Sequence, residues 1–163
     1  MALQHPVPEE HLKHIGDITV SFALLESCLQ TLAHSLLGVG QRLGQIVTAE
    51  VSFKALRALT VSLYLQRNGE DEDVAHFRDL IKRVAETEEK RNQITHSLWG
   101  ARNDKGSITR IKTTAKEKHG IRFHFENITS NQLAEFAKEI KVLAHDIQNF
   151  WISLIEKGKA TNG

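Results

Sequence analysis

Cysteine and proline are scarce in this chain of 163 residues, which has one cysteine, Cys28, and two prolines, Pro6 and Pro8. A single thiol excludes an internal disulfide framework and a thiolate zinc site, and is compatible with a reducing compartment. Cys28 sits inside an apolar helical pattern, where a small buried hydrophobe is its ordinary role. Net charge is scarce as well: a formal +1 and a pI of about 8.0 mean that no overall field drives the protein onto nucleic acid or membrane, so any basic surface must be local. The N-terminus, Met-Ala-Leu-Gln-His-Pro, has neither the charged nor the apolar region of a signal peptide. No apolar run approaches the roughly 18 residues of a membrane span. A cytoplasmic protein without a membrane partner is therefore expected. There is no internal repeat and no low-complexity tract.

Several chemistries lack their residues. No Glu is followed three positions later by His, so the Glu-x-x-His pairs of di-iron helical proteins are missing. His-Glu-x-x-His, the P-loop and Gly-x-Gly-x-x-Gly are absent too, which leaves zinc protease, nucleotide-phosphate and dinucleotide readings without support. His11 and His14 could share a surface ion from one helical face, but an isolated pair is ordinarily solvated. No metal and no cofactor are expected.

What is present is a globular composition, 40% hydrophobic and 25% charged, in a chain long enough to bury its own core. A single domain over residues 1–163 is expected. Pro8, Glu9 and Glu10 make a helix start with carboxylates at the positive end of the dipole. Ile15, Ile18, Phe22, Leu25, Leu29, Leu32 and Leu36 then alternate spacings of three and four up to Gly38, a suitable C′ residue. Residues 38–49 read as a loop with a helical turn around Gln41–Val47. A shorter helix from about Glu50 or Ser52 to Arg67 uses Phe53, Leu56, Thr60 and Leu63, supported by Leu59, and Asn68-Gly69 stops it. The acidic run Glu70–Asp73 opens a third long helix as a solvated first turn. That helix is apolar at Val74, Phe77, Leu80, Ile81 and Val84.

Beyond Trp99-Gly100 the pattern turns to β-formers. Asn103–Gly106 is a turn, Ser107–Thr114 a strand, and Ile121–Phe125 alternates strictly, which predicts a β-hairpin closing through Glu117–Gly120. Between residues 102 and 122, Arg102, Lys105, Arg110, Lys112, Lys116, Lys118 and Arg122 face only Asp104 and Glu117, a local charge of +5. Such a run can be a solvated edge guarded against aggregation; it is also the best phosphate-attracting patch in the chain. Thr129 with Gln132 forms a capping box, flanked by a staple of Ile128 with Leu133, for a last helix apolar at Leu133, Phe136, Ile140, Leu143, Ile147, Phe150 and Leu154. Residues 157–163 are expected to fray. The sum is an all-α fold, a four-helix bundle with a β-hairpin inserted at about 103–126 before the last long helix.

One stretch breaks the pattern. Continuing the third long helix brings Glu88, Arg91 and Thr95 onto its core face before Leu98 resumes it, while Asn92 and His96 lie towards one edge. At 100° per residue, Glu88 and Arg91 fall within about 60° of Phe77. Arg91 and His96 are about 140° apart around the helix and about 7.5 Å apart along it, so they can line one rim of a cleft but cannot grip one atom alone. Arg offers a permanent planar cation for phosphate, and His exchanges protons near neutral pH. Together they suit cleavage of a phosphodiester by an RNA 2′-hydroxyl. Glu26, at the edge of the first helix's apolar stripe, could hold Arg91 in register. The competing reading makes Glu26, Glu88 and Arg91 a buried ion cluster that fixes helix register or a subunit interface.

Arg91-Asn92-x-x-x-His96 near a helix end resembles the Arg-x4-6-His signature of the HEPN superfamily, whose catalytic members are metal-independent endoribonucleases that dimerise with two motifs facing each other. The resemblance implies that Arg91 and His96 are catalytic and that Asn92 orients or contacts the phosphate. Six residues carry it directly, and the β-hairpin is not a general feature of that family. The partners of this reading are a second copy of the chain, single-stranded RNA, and an antitoxin or other protein. The alternative is a non-catalytic helical protein whose polar patch binds a protein or nucleotide partner.

Overall fold

The computed structural model describes residues 5–103, 105–116, 118 and 120–161, with backbone alone at 101, 102 and 116. Among them the chain is mostly helical with a small antiparallel sheet: α1 (Glu9–Leu37), α2 (Gln41–Thr48), α3 (Phe53–Asn68), α4 (Val74–Thr95), β1 (Leu98–Arg102), β2 (Ile108–Lys116), β3 (Gly120–Ile128) and α5 (Ser130–Glu156). The chain forms two compact units. One comprises Met1–Ser21 and Glu89–Glu139, the other Phe22–Glu88 and Ile140–Gly163.

The second unit is helical, and its core follows the periodicity. Phe22, Leu25, Leu29, Leu32 and Leu36 of α1 are buried. By length and mean hydropathy, 1.3 over 18 residues, α1 is long and apolar enough to cross a membrane, although polar residues interrupt its apolar stretches. Half of that window is buried within the chain, as in a core helix. On α3, Ser52 caps the N-terminus by accepting from the Ala55 N–H at 3.3 Å. Its buried positions are Phe53, Leu56, Thr60 and Tyr64, so Tyr64 takes the place expected of Leu63. Burying tyrosine is tolerable because its hydroxyl donates to Asp71 Oδ1 at 2.6 Å. The ring stacks on Phe77 at 4.1 Å between centroids and lies 6.0 Å from Phe150.

The segment expected to be mostly loop forms a full helix, α2. Gly44 lets it approach α1: a Cβ there would come within 2.7 Å of His34 Cδ2. His34 Nε2 and Thr48 Oγ1 share a hydrogen bond of 3.0 Å across the contact. A helix of eight residues with a glycine at its centre has little propensity of its own, so tertiary packing decides it.

The C-terminal tail departs from expectation. Gly158, at φ +69°, ends α5 with its N–H on Ile155 O (2.9 Å) and that of Lys159 on Leu154 O (2.8 Å), a Schellman closure. Lys159 Nζ then donates to Asp71, Glu72 and Asp73, each at 2.7 Å. Thr161 donates to Ser35 O from its N–H (3.2 Å) and its hydroxyl (3.0 Å). Residues 157–161 are thus tied down; residues 162 and 163 lie outside the described residues. The acidic run that reads as a solvated first turn is the anchor for that tail.

These ion pairs predict a pH effect. Burial pushes the Asp71 carboxyl up, but bonds from Lys159, Tyr64 and the Asp73 backbone outweigh it and hold the group below its ordinary value. Bonds from Lys159 lower Glu72, and bonds from Lys157 and Lys159 lower Asp73. Bonds to the same three carboxylates raise Lys159. Lowered carboxylates stabilise the fold above the ordinary carboxylate range and lose that contribution as pH falls through their folded values; the raised lysine contributes below its ordinary value. In an acid titration, the NMR amide signals of Lys159 and Thr161 should therefore shift towards random-coil positions only once pH has fallen below the ordinary carboxylate range, ahead of those in α5. Tail signals unchanged to the acid end of the titration would contradict the anchor.

The first unit holds the sheet, ordered β1-β2-β3. β2 and β3 pair without interruption from Ile108↔Ile128 to Lys116↔Gly120. Asn103 Oδ1 accepts from the Lys105 N–H (3.0 Å) and the Ser107 N–H (3.1 Å), building the expected turn. Asp104, Glu117 and His119 lie outside the described residues. The expected hairpin gains a third strand, because Leu98 does not resume the helix. α4 stops at Thr95, where the Trp99 indole N–H caps Ile94 O at 3.2 Å. Leu98 then pairs with Ile111 on β1 and is exposed, and a bulge separates Trp99 from Arg102. At the other end Thr129 and Gln132 form the reciprocal capping box: Thr129 N–H to Gln132 Oε1 at 2.8 Å and Gln132 N–H to Thr129 Oγ1 at 3.2 Å.

Candidate functional site

The last turn of α4 carries the unusual polar residues. Arg91 and Asn92 are half-buried, and His96, the first residue beyond the helix, is exposed. The His96 N–H donates to Asn92 O at 3.1 Å, which continues the helical course by one residue. Thr95 lies between them but turns its hydroxyl onto Arg91 O at 3.0 Å, so it finishes the helix rather than facing a ligand. The side chains therefore emerge from the end of α4 and the residue after it, with an exposed imidazole at the tip.

Glu88 is engaged elsewhere. It accepts from Arg57 Nη1 at 2.8 Å, and the two side chains are only 16% and 20% exposed. Its polar position on the core stripe is thus explained by a partner on α3, which the spacing on α4 alone could not reveal. Glu26 is half-buried on α1 in the helical unit, with no ion pair among the described residues.

The basic hairpin residues separate into two kinds. Lys105, Lys112 and Arg122 are exposed. Arg110, expected to reach nucleic acid, has a side chain only 11% exposed. Its guanidinium donates to Gln93 O (3.2 Å), Ser97 Oγ (3.4 Å) and Glu126 Oε2 (3.0 Å), which leaves little of it for a phosphate and makes it a brace between β2, β3 and the end of α4. The side chains of Arg102 and Lys116 lie outside the described residues. The strand register puts Lys112, His124 and Arg122 on one face of the sheet, while Ile111, Thr113, Phe123 and Phe125 share the other.

Each unit holds a cavity lined by described residues. The first, of about 450 Å³, is lined by Lys90, Ile94, Glu126, Glu135, Phe136 and Glu139 among others. Lys90 Nζ sits 4.1 Å from the Phe136 ring centroid and 3.4 Å from Glu139. With three carboxylates against one lysine, this cavity repels a phosphate, and Arg91, Asn92 and His96 are not among its lining. The second, of about 280 Å³, is lined by uncharged polar groups including Gln30, Thr31, His34, Gln41 and Gln45, together with Trp151. Burial pushes the His34 imidazole below its ordinary value against the opposing pull of a hydrogen bond with the Gly44 backbone, so it is neutral near pH 7. Its sequence signal was Gly44, the small residue that lets α2 seat on the ring.

Among the described residues, no three His, Cys, Asp or Glu side chains group in a way that could hold a metal ion. Comparison with protein-family models, with curated proteins and with solved structures finds no match.

Proposed function

We propose that this chain is an RNA-cleaving protein of HEPN type, a four-helix bundle carrying a β-sheet insertion, which cuts single-stranded RNA without a metal at a cleft between two copies. The observation that carries the reading is the placement, within about one and a half turns at the end of α4, of a half-buried Arg91 and an exposed His96. Arg91 would hold the non-bridging phosphate oxygens as negative charge builds on them. The RNA 2′-oxygen bonds to phosphorus and the bond to the 5′-oxygen breaks, leaving a 2′,3′-cyclic phosphate and a 5′-hydroxyl. His96 moves the proton, taking it from the 2′-hydroxyl or giving it to the departing 5′-oxygen. Because the two side chains diverge by about 140°, a second copy would supply the opposing pair. Asn92 would orient the phosphate, and exposed Lys105, Lys112 and Arg122 would hold the strand.

The test is cleavage of a labelled single-stranded RNA with EDTA present. Wild type should release cyclic phosphate ends, and His96→Ala should cut at least about 100-fold more slowly with an unchanged melting temperature. A full rate in that variant removes the assignment. The second reading, a non-catalytic interaction protein that binds an antitoxin-like or other protein partner, is favoured by the engagement of Glu88 with Arg57 and of Arg110 with Glu126, which gives much of the polar stretch and its surroundings structural work. It predicts no cleavage by the wild type at all.

A further inference from the structure

β3 is an outer strand of the sheet, as β1 is, and eight of its nine residues are exposed. Its free edge therefore presents a continuous row of backbone donors and acceptors, and nothing among the described residues covers it. Ile121, Phe123 and Phe125 are 67%, 60% and 68% exposed on one face. Outer strands of this length are usually protected by proline, a bulge, charged side chains or a covering element, and the two charges of β3, Arg122 and Glu126, are of opposite sign, so they do not repel a second copy of the strand. β3 has no proline, and it pairs with β2 residue for residue.

We propose that β3 is a self-association edge, pairing antiparallel with β3 of a second copy of this chain across a two-fold axis at His124. Three features coincide at that register. His124 is the midpoint of Gly120–Ile128, so an axis there overlaps the whole strand. It sets Arg122 opposite Glu126 of the second copy, and by symmetry does so twice. It also sets Phe123 opposite Phe125 of the second copy, and directly opposed residues in an antiparallel pair point to the same face, so four rings form a row. An axis at Phe123 would instead oppose Arg122 to His124, and one at Phe125 would oppose Arg122 to Ile128; each shortens the overlap. Glu126 already accepts from Arg110 of its own chain, but its side chain is 56% exposed and a carboxylate has room for a second guanidinium. The result is a continuous six-stranded sheet built from two copies. This pairing needs the sheet alone and holds whether or not the chain cuts RNA.

The experiment is sedimentation equilibrium combined with site-directed cross-linking. Wild type should be dimeric, and Arg122→Glu should raise the dimer dissociation constant about tenfold, since two attractive pairs become repulsive. In a Cys28→Ser background, His124→Cys should form a covalent dimer under mild oxidation because the two positions face each other across the axis. Ile121→Cys should not, because its opposite number is Asn127. A wild type that stays monomeric at its highest soluble concentration overturns the proposal. So does a dimer indifferent to Arg122→Glu, or one in which Ile121→Cys cross-links as readily as His124→Cys. RNA cleavage is scored separately, so loss of one inference leaves the other standing.

Discussion

Phe77→Ala is expected to destabilise the protein by about 3–5 kcal/mol, the largest stability loss from any single aromatic truncation in the helical unit. Phe77 is 1% exposed and lies between two other rings. It stacks on Tyr64 at 4.1 Å with a 14° interplanar angle, and on Phe150 at 5.8 Å with 21°. Truncation removes the ring's own transfer free energy and leaves a void flanked by two rigid neighbours that cannot collapse into it. It also loosens Tyr64, whose hydroxyl is fixed on Asp71, the carboxylate that Lys159 holds. The effect should therefore reach the tail. Urea denaturation measures the loss, with Leu43→Ala as control; Leu43 is 52% exposed and should change stability by less than about 0.5 kcal/mol. A loss below about 1 kcal/mol for Phe77→Ala would mean that the three-ring cluster is not the centre of this core.

Arg110→Met is expected to have the second-largest effect, and a divided one. Methionine keeps much of the apolar stem but removes the four hydrogen bonds, two of them to Glu126, that join β2 to β3 and to the end of α4. With the side chain 11% exposed, a loss of about 1–3 kcal/mol follows from the polar partners left behind. If His96 moves a proton, the same change should lower kcat for RNA cleavage, because the end of α4, with Arg91 and His96, is no longer braced through Gln93 and Ser97. A direct phosphate contact would behave differently, raising KM and flattening the salt dependence of binding. Exposed Lys112 provides the comparison: Lys112→Met should spare stability and reduce RNA affinity. If Arg110→Met instead leaves stability intact and alters only KM, Arg110 is a phosphate ligand after all.

Much of the helical framework was legible because a periodic apolar face reports its own burial. The stripe from Phe22 to Leu36 and the positions Leu133 to Leu154 are buried as their spacing required. The capping box at Thr129 was readable for the same reason: its two partners are three residues apart and need nothing from the rest of the chain. Errors fell where a distant residue decided the outcome. Tyr64 displaced Leu63 because Asp71 could take its hydroxyl, α2 formed because Gly44 fits against His34, and Leu98 left the helix because Trp99 turned back to cap Ile94.

The proposed site divides along the same line. Local spacing shows that Arg91, Asn92 and His96 lie at or just past a helix end, in a stretch that should be apolar. The chain also shows that a basic segment follows, and that no cysteine set or Glu-x-x-His pair offers metal chemistry. Which of the polar groups are already committed follows from the fold: Glu88 to Arg57, Arg110 to Glu126 and the end of α4, and Lys159 to the acidic run, while His96 stays exposed. The physical reason is range. Helical periodicity and capping act within a few residues and leave a local record in the chain. Ion pairs between residues 31, 16 or 88 positions apart depend on which surfaces the fold brings within about 3 Å, and no spacing rule encodes that.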